Sequence, residues 1–362
     1  MNKVLVVLPH KYKYYYEEEL SLVKTIYKDI VDRIIVKKPN PKFYIPYNRI
    51  EKIKDMDIDK IIIMDRVKPT QIINITRETE KEVIDRVLLI LEIFNLHAGS
   101  LEAKLQIEMA KLKHQLPLIK EAIRYAKLGE LHGFLGAGRY GYEKYYTMMR
   151  MKEAKMRKKL EKLRKTRMLH RKQRTRLGYP HIAIIGYTCA GKTTLFNKLT
   201  KTNKPVGPEP FTTLSPKSKK IYLGDKEAIV TDTVGFIRDL PHEIIEAFYA
   251  TLEEISNSDI IVHVIDISKD ENSVYKEIIE ARRILSKIGV HGKPVILALN
   301  KIDLLKDING KIREISKYRA SNEVIIPISA LKDINIDLLK HVLKKILEGK
   351  EIGKDICSKV WA

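Results

Sequence analysis

Cysteine is nearly missing from these 362 residues: Cys189 and Cys357 are the only two, so no disulfide framework holds the fold. No apolar run approaches the roughly 18 residues that a membrane-spanning helix needs. The opening MNKVLVVLPHKYK has a short apolar run but no small-residue cleavage site, so it reads as a first strand and not as a secretion signal. Acidic residues are also scarce, 46 Asp and Glu against 68 Lys and Arg, which leaves a formal net charge of +22. These absences exclude a disulfide-stapled secreted module and a membrane-spanning helical protein. What remains is a soluble, cytoplasmic, basic protein. Its hydrophobic fraction of 44% suits a folded chain, and its length allows two domains with a helical connector.

The positive charge has two readings, a solubilising surface of the kind found in heat-adapted proteins or a footprint for phosphates. Its distribution favours the second. From Arg150 to Arg176 the chain carries 14 Lys or Arg against two Glu, a density that suits nucleic acid or, less often, anionic lipid. Residues 1–95 alternate strand-like runs (Val4 to Leu8, Arg33 to Lys37, Lys60 to Met64) with amphipathic segments, as a small α/β domain does. A long helix is expected from near Glu78 past Leu101. Leu105, Met109, Leu112, Leu116, Ile119, Ile123 and Ala126 then recur at spacings of three and four, the pattern of a helix seam, which Pro117 is expected to kink or interrupt. After a glycine-rich stretch with Gly133, Gly136, Gly138 and Gly141, a second helix from about Tyr145 to Leu169 puts Met149, Met156, Leu160 and Leu163 on one face. Residues 96–180 thus read as a helical hairpin with a glycine-rich tip and a basic second arm, or as a plain solvated connector.

Residues 181–349 carry the chemistry, and 350–362 form a short tail. IAIIGYTCAGKTTLFNKL, from Ile182, reads as strand, loop and helix, with GxxxxGK[ST] at its centre. Backbone N–H groups of Gly186, Tyr187, Thr188, Cys189, Ala190 and Gly191 can cradle polyphosphate. Lys192 can reach the outer phosphates, the Thr193 hydroxyl can hold Mg²⁺, and Thr194 is also expected to contact the nucleotide. PVGPEPFTTLSPKSKK, Pro205 to Lys220, reads as a flexible loop in which Phe211, Thr212 and Thr213 approach the nucleotide and one threonine, preferably Thr213, completes the metal shell. AIVTDTVGF, Ala228 to Phe236, reads as a strand ending in DxxG. There Asp232 serves Mg²⁺, Thr233 and Val234 are expected to contact the nucleotide, and the Gly235 N–H meets the γ-phosphate. KPVILALNKID delivers Asn300, Lys301 and Asp303. The Asp303 carboxylate can accept two hydrogen bonds from N1–H and the exocyclic amine of guanine, which adenine cannot offer. Ser329, Ala330 and Leu331 end a last strand where a backbone N–H can meet guanine O6. Four motifs in this order, each after an apolar strand, specify GTP as substrate and Mg²⁺ as cofactor, with Lys192, Thr213 and Gly235 in the catalytic roles.

These residues resemble the HflX family within the phosphate-loop translational GTPases. The likeness rests on GYTCAGKTTLFNKL, PFTTLSP, DTVGFIRDLPHEIIEAFYATLEE and NKID. It extends through PTQ at Pro69 to Gln71, EVIDRVLLILEIF from Glu82 and LEAKLQIEMAKLKHQLP from Leu101. It implies an α/β chain in which a small α/β domain and a helical hairpin precede a phosphate-loop GTPase domain with a mainly parallel sheet. It further implies GTP hydrolysis, association with the large ribosomal subunit and its RNA, and a part in ribosome splitting, rescue or biogenesis. A GTP-gated RNA-binding or assembly scaffold is the alternative. Three features depart from the family pattern. Cys189 stands where Asn is usual, the glycine-rich tip is worded differently, and about a dozen residues follow residue 349, as in an archaeal-type member without the bacterial C-terminal domain. Phe236 follows DxxG where signalling GTPases place a water-orienting Gln, so slow intrinsic hydrolysis stimulated by a partner is expected. A monomer is expected, since no surplus apolar face is evident.

Overall fold

In the computed structural model, residues 2–127, 139–176, 178–202, 217–238 and 249–349 are described. The chain divides into two compact units, with the boundary between Thr166 and Arg167.

The first unit is built on short β-branched runs. β1 (Lys3–Pro9), β2 (Asp29–Val36), β3 (Lys60–Ile63) and β4 (Glu82–Asp85) form a parallel sheet in the order β2-β1-β3-β4. β1 reads KVLVVLP and is buried from Val4 onward, as a strand covered on both faces must be. Helices α1 (Tyr16–Ile26), α2 (Tyr47–Lys54), α3 (Pro69–Thr79) and α4 (Arg86–His97) connect and cover the strands. Gln71, from the PTQ triplet, donates to the carbonyls of Asn40 and Pro41 and accepts from the Lys68 N–H, so one side chain ties α3 to the turn after β2. Arg86 at the start of α4 lays its guanidinium against Glu19 of α1 at 2.8 and 2.9 Å, with both side chains buried.

The expected long helix from Glu78 is not formed. Glu80 adopts a left-handed conformation (φ 59°) and ends α3, EVID then pairs in parallel with β3, and Asp85 caps α4 by accepting from the Leu88 N–H. A second break follows at residues 98–100. There Ser100 Oγ accepts from the Ala103 N–H and opens α5 (Leu101–Lys127), which runs through Pro117 without interruption. α6 spans Arg139–Arg176, longer than expected at both ends. The seam packs as anticipated: Leu112 and Ile119 of α5 meet Met149 and Met156 of α6, with Leu105, Met109, Leu116 and Ile123 beside them. Ala126 instead packs with Ile73 of α3 and Ala122. Ion pairs Lys127–Glu143 and Glu108–Lys152 fix the antiparallel sense. Gly133, Gly136 and Gly138 of the glycine-rich tip lie outside the described residues, whereas Gly141, expected in the tip, falls inside α6.

The second unit holds a six-stranded sheet in the order β10-β9-β8-β5-β7-β6, parallel except at β6. Its strands are β5 (His181–Ile185), β6 (Lys217–Leu223), β7 (Lys226–Asp232), β8 (Ile260–Asp266), β9 (Val295–Asn300) and β10 (Glu323–Pro327). Around them lie α7 (Lys192–Thr200), α8 (Tyr249–Ser256), α9 (Glu271–Lys287), α10 (Ile308–Ser316) and α11 (Ile336–Leu347). All seven residues of β8 and all six of β9 are buried, which is the central-strand pattern. The end of the segment expected as a loop, from Lys217, is instead strand β6, joined to β7 by a two-residue Gly224–Asp225 turn with Gly224 at φ 70°. β7 stops at Asp232, so the residues after it are free of the ladder and form a loop.

The buried Glu19–Arg86 pair gives a stability prediction. Arg86→Leu leaves a carboxylate without its counter-charge and is expected to cost about 3–5 kcal/mol, whereas Glu19→Leu/Arg86→Leu recovers most of that loss. Urea midpoints of the two variants and the parent measure both effects.

Candidate functional site

The strands β5, β7, β8, β9 and β10 all end at one edge of the second sheet, and each delivers a polar group there. Parallel open sheets bind ligands at this edge. β5 leads into Gly186, whose φ of 145° and position under β8 suit only glycine, since a Cβ there would sit 2.2 Å from the Val264 carbonyl oxygen. The loop then wraps to Gly191 (φ 97°) and opens α7 at Lys192. Cys189, at the loop's exposed crest, holds φ 61°.

Lys192 is buried and donates to the Tyr187 carbonyl at 2.5 Å. Burial pulls its pKa down to about 8, against the opposing pull of Asp232. Thr193 Oγ1 donates to Asp232 Oδ2 at 3.1 Å, so the hydroxyl that follows the lysine and the carboxylate that ends β7 are neighbours, both buried. Gly235 packs against the same lysine: a Cβ there would meet Lys192 Nζ and Thr188 Cγ2 at 3.0 Å. Thr233 Oγ1 anchors the loop to the Ile184 carbonyl at 2.6 Å, and Val234 is buried. Two backbone bonds join this loop to the phosphate loop, Phe236 N–H to Gly186 O at 2.9 Å and Thr188 N–H to Phe236 O at 3.0 Å. The Phe236 ring is buried edge-on against Tyr187, with centroids 6.4 Å apart.

Asn300 at the end of β9 ties the remaining loops together. Its Nδ2 donates to the Ala190 carbonyl at 2.7 Å, and its Oδ1 accepts from the Ala330 N–H at 2.9 Å. Lys301 (φ 69°) extends its ammonium to Asp266 Oδ2 at 2.6 Å, which leaves its methylene stem beside the loop. Asp303 is exposed in the short 3₁₀ turn Ile302–Leu304. Ser329 is buried and accepts from the Lys332 N–H, whereas Leu331 is exposed. Phe211, Thr212 and Thr213 lie outside the described residues, and Thr194 continues α7.

The site also contains residues that the motifs do not name. Asp266 holds Lys301 and, through Oδ1, the backbone and hydroxyl of Ser268. Glu277 of α9 is buried and accepts from Lys269 at 2.7 Å and from Arg238, just beyond DxxG, at 3.5 Å. His263 on β8 is buried, and burial pushes its pKa down to about 3, so it stays neutral. Asp266 could have been found, because IIVHVID ends in Asp as AIVTD does. The Arg238–Glu277 pair leaves no local signature.

The donor set fits Mg²⁺. Thr193 Oγ1 and the Asp232 carboxylate are hard oxygen donors from two loops, and Mg²⁺ is typically held by one or two such groups plus water and substrate phosphates. No cluster of three or more His, Cys, Asp or Glu suited to a metal occurs among the described residues.

A model described as 50S ribosome-binding GTPase matches residues 181–301. Models for the GTP-binding GTPase N-terminal and middle regions match 13–95 and 97–174. The chain is 43% identical over 344 residues to a GTPase HflX of Saccharolobus solfataricus, covering 92% of this chain and 96% of that one. The chain belongs to the HflX family of GTPases. The HflX GTPase of Hyperthermus butylicus is 44% identical (83% of this chain, 82% of that one), and the Escherichia coli HflX is 33% identical (87% and 74%). Among solved structures, a GTP-binding protein of Sulfolobus solfataricus in complex with GDP matches with TM-score 0.54 at 35% identity, covering 95% of this chain and 98% of that one. SsGBP in complex with GDP matches with TM-score 0.57 at 36% identity, covering 96% and 98%. The α/β fold and GTP binding expected of an HflX chain therefore hold. No helix among the described residues is long and apolar enough to cross a membrane.

The lowered pKa of Lys192 sets a pH dependence. Burial keeps the lysine charged below about pH 8 and increasingly neutral above it, while a bound polyphosphate needs the charge. GDP affinity is expected to stay level from pH 6.5 to 7.5 and to weaken by up to about tenfold per unit above 8. Fluorescent-nucleotide titrations across this range measure it, and a flat profile contradicts the lowered pKa of Lys192.

Proposed function

We propose that this HflX GTPase hydrolyses GTP to GDP and phosphate slowly by itself, and faster on the large ribosomal subunit, in ribosome splitting, rescue or biogenesis in the cytoplasm. The convergence of Lys192, Thr193, Asp232 and Gly235 within one edge of the sheet supports the hydrolytic site. Lys192 turns from the Tyr187 carbonyl to the β- and γ-phosphates. The amides from Tyr187 to Gly191 wrap the polyphosphate, and Thr193 and Asp232, joined by Thr213, would hold Mg²⁺, which would supply positive charge to the phosphate oxygens. The Gly235 N–H senses the γ-phosphate. Asp303 reads guanine, Lys301 backs the base with its stem, and the Ser329 to Leu331 loop closes over its edge.

Phe236 carries the argument for stimulation. Its ring is apolar, buried and packed on Tyr187, so it cannot hydrogen-bond an attacking water. The orienting group then comes from a partner. The exposed cations of α6, among them Lys155, Lys158, Lys159 and Lys162, supply a surface suited to ribosomal RNA. The family-model description of a 50S ribosome-binding GTPase points the same way.

Single-turnover and steady-state GTP hydrolysis, alone and with purified large subunits, test the proposal. Subunits are expected to raise turnover by about tenfold or more, with ATP ignored. Tight GTP binding with turnover unchanged by subunits overturns the stimulated-enzyme reading and favours a GTP-gated RNA-binding scaffold.

A further inference from the structure

The segment that follows β7 lies closed against the phosphate loop. A Cβ on Gly235 would sit 3.0 Å from Lys192 Nζ, 3.0 Å from Thr188 Cγ2 and 3.2 Å from Thr188 Cα. That is tighter than the roughly 3.5–4.0 Å of an ordinary carbon contact, and a phosphate group is larger than a methyl. Phe236 seals the same gap: its N–H donates to the Gly186 carbonyl at 2.9 Å, its carbonyl accepts from the Thr188 N–H at 3.0 Å, and its ring stands edge-on to Tyr187. A γ-phosphate held between Lys192 and the Gly235 N–H must therefore push this segment outward and part the Phe236 bonds. A β-phosphate wrapped by the amides of the loop itself makes no such demand.

The far end of the segment is held by charge. Arg238, three residues beyond Gly235, forms an ion pair with Glu277 of α9 at 3.5 Å, and Lys269, in the turn between β8 and α9, donates to the same carboxylate oxygen at 2.7 Å. The Glu277 and Arg238 side chains are 2% and 10% exposed, so solvent screens the pair little. Three residues of extended chain span at most about 11 Å, which leaves little slack between a displaced Gly235 and Arg238. Glu277 keeps Lys269 when Arg238 departs, so release does not strand a bare carboxylate in the interior. Arg238 and Glu277 thus form a latch that can open. It sits beside the phosphate site, since the charges of both Glu277 and Lys269 act on Lys192.

We infer that, in the GTP site proposed above, Glu277 is a positioning residue that sets the choice between GDP and GTP: through Arg238 it holds the segment after β7 in the setting that admits the diphosphate and resists the γ-phosphate. Glu277 acts through Arg238 and not by contact with the nucleotide. GTP must open the latch, and GDP need not.

Affinities of the full chain for GDP and for GMPPNP, a triphosphate analogue with nitrogen at the β,γ-bridge, test this by displacement of a fluorescent GDP in magnesium buffer. The parent is expected to favour GDP. Glu277→Gln keeps the shape of the side chain and removes its charge, and it is expected to tighten GMPPNP about fivefold to tenfold while GDP moves by less than about twofold. Arg238→Gln, which leaves Glu277 with Lys269, is expected to give the same shift. The double variant is expected to add nothing to either single one, because both open one latch. A parent that favours GMPPNP, equal weakening of both nucleotides in the variants, or additive shifts in the double variant overturns the inference. A parent that binds neither nucleotide overturns the GTP-site reading and the inference with it, whereas GDP binding with an unchanged nucleotide ratio in Arg238→Gln overturns the latch alone.

Discussion

One side-chain amide holds the nucleotide site together. Asn300 reaches from the end of β9 to the carbonyl of Ala190 in the phosphate loop and to the amide of Ala330 after β10. These two hydrogen bonds, both buried, set the distance between the GxxxxGKT loop and the loop after β10, the two proposed to meet phosphate and base. Gly191 is part of the same constraint, because a Cβ there would lie 2.3 Å from Asn300 Nδ2. A buried amide with both ends satisfied rigidifies, and its truncation strands two backbone groups. The phosphate and base halves of the site are therefore one mechanical object.

The other side of the site is set by backbone contact. Phe236 donates to the Gly186 carbonyl and accepts from the Thr188 N–H of the phosphate loop, and Gly235 lies against Lys192. The segment after β7 thus rests on the phosphate loop and on Lys192. Burial makes the Lys192 ammonium costly until a polyphosphate compensates it. Arg238 and Lys269 share the buried carboxylate of Glu277, which fixes the first residues beyond DxxG to α9.

Much of this was legible in the sequence because the backbone dictates the residue. Gly186 and Gly191 occupy conformations and spaces closed to a side chain, and Asp232, Asn300 and Asp303 each follow an apolar strand of the expected kind. The helical seam was legible for the same local reason, since Leu112 and Ile119 lie two turns apart on one face. β4 was not. EVID is four residues long and runs into the helical pattern of α4, and its strand identity comes from pairing with β3, some twenty residues earlier in the chain. β6 was hidden by its lysines, which suit an exposed edge strand as well as a loop. Asp266, Arg238 and Glu277 act through contacts between distant segments, which no local spacing records.

Guanine recognition by Asp303 is the central claim, and nucleotide preference tests it most directly. Asp303→Asn replaces an acceptor with an amide that can donate to the C2 carbonyl of xanthine, and it withdraws the second acceptor that guanine requires. Affinities of the parent and the variant for GDP and for xanthosine diphosphate, measured side by side, decide the matter. The account predicts that the parent prefers GDP and that the variant reverses the preference. An unchanged preference for GDP in the variant, with the fold intact, contradicts it.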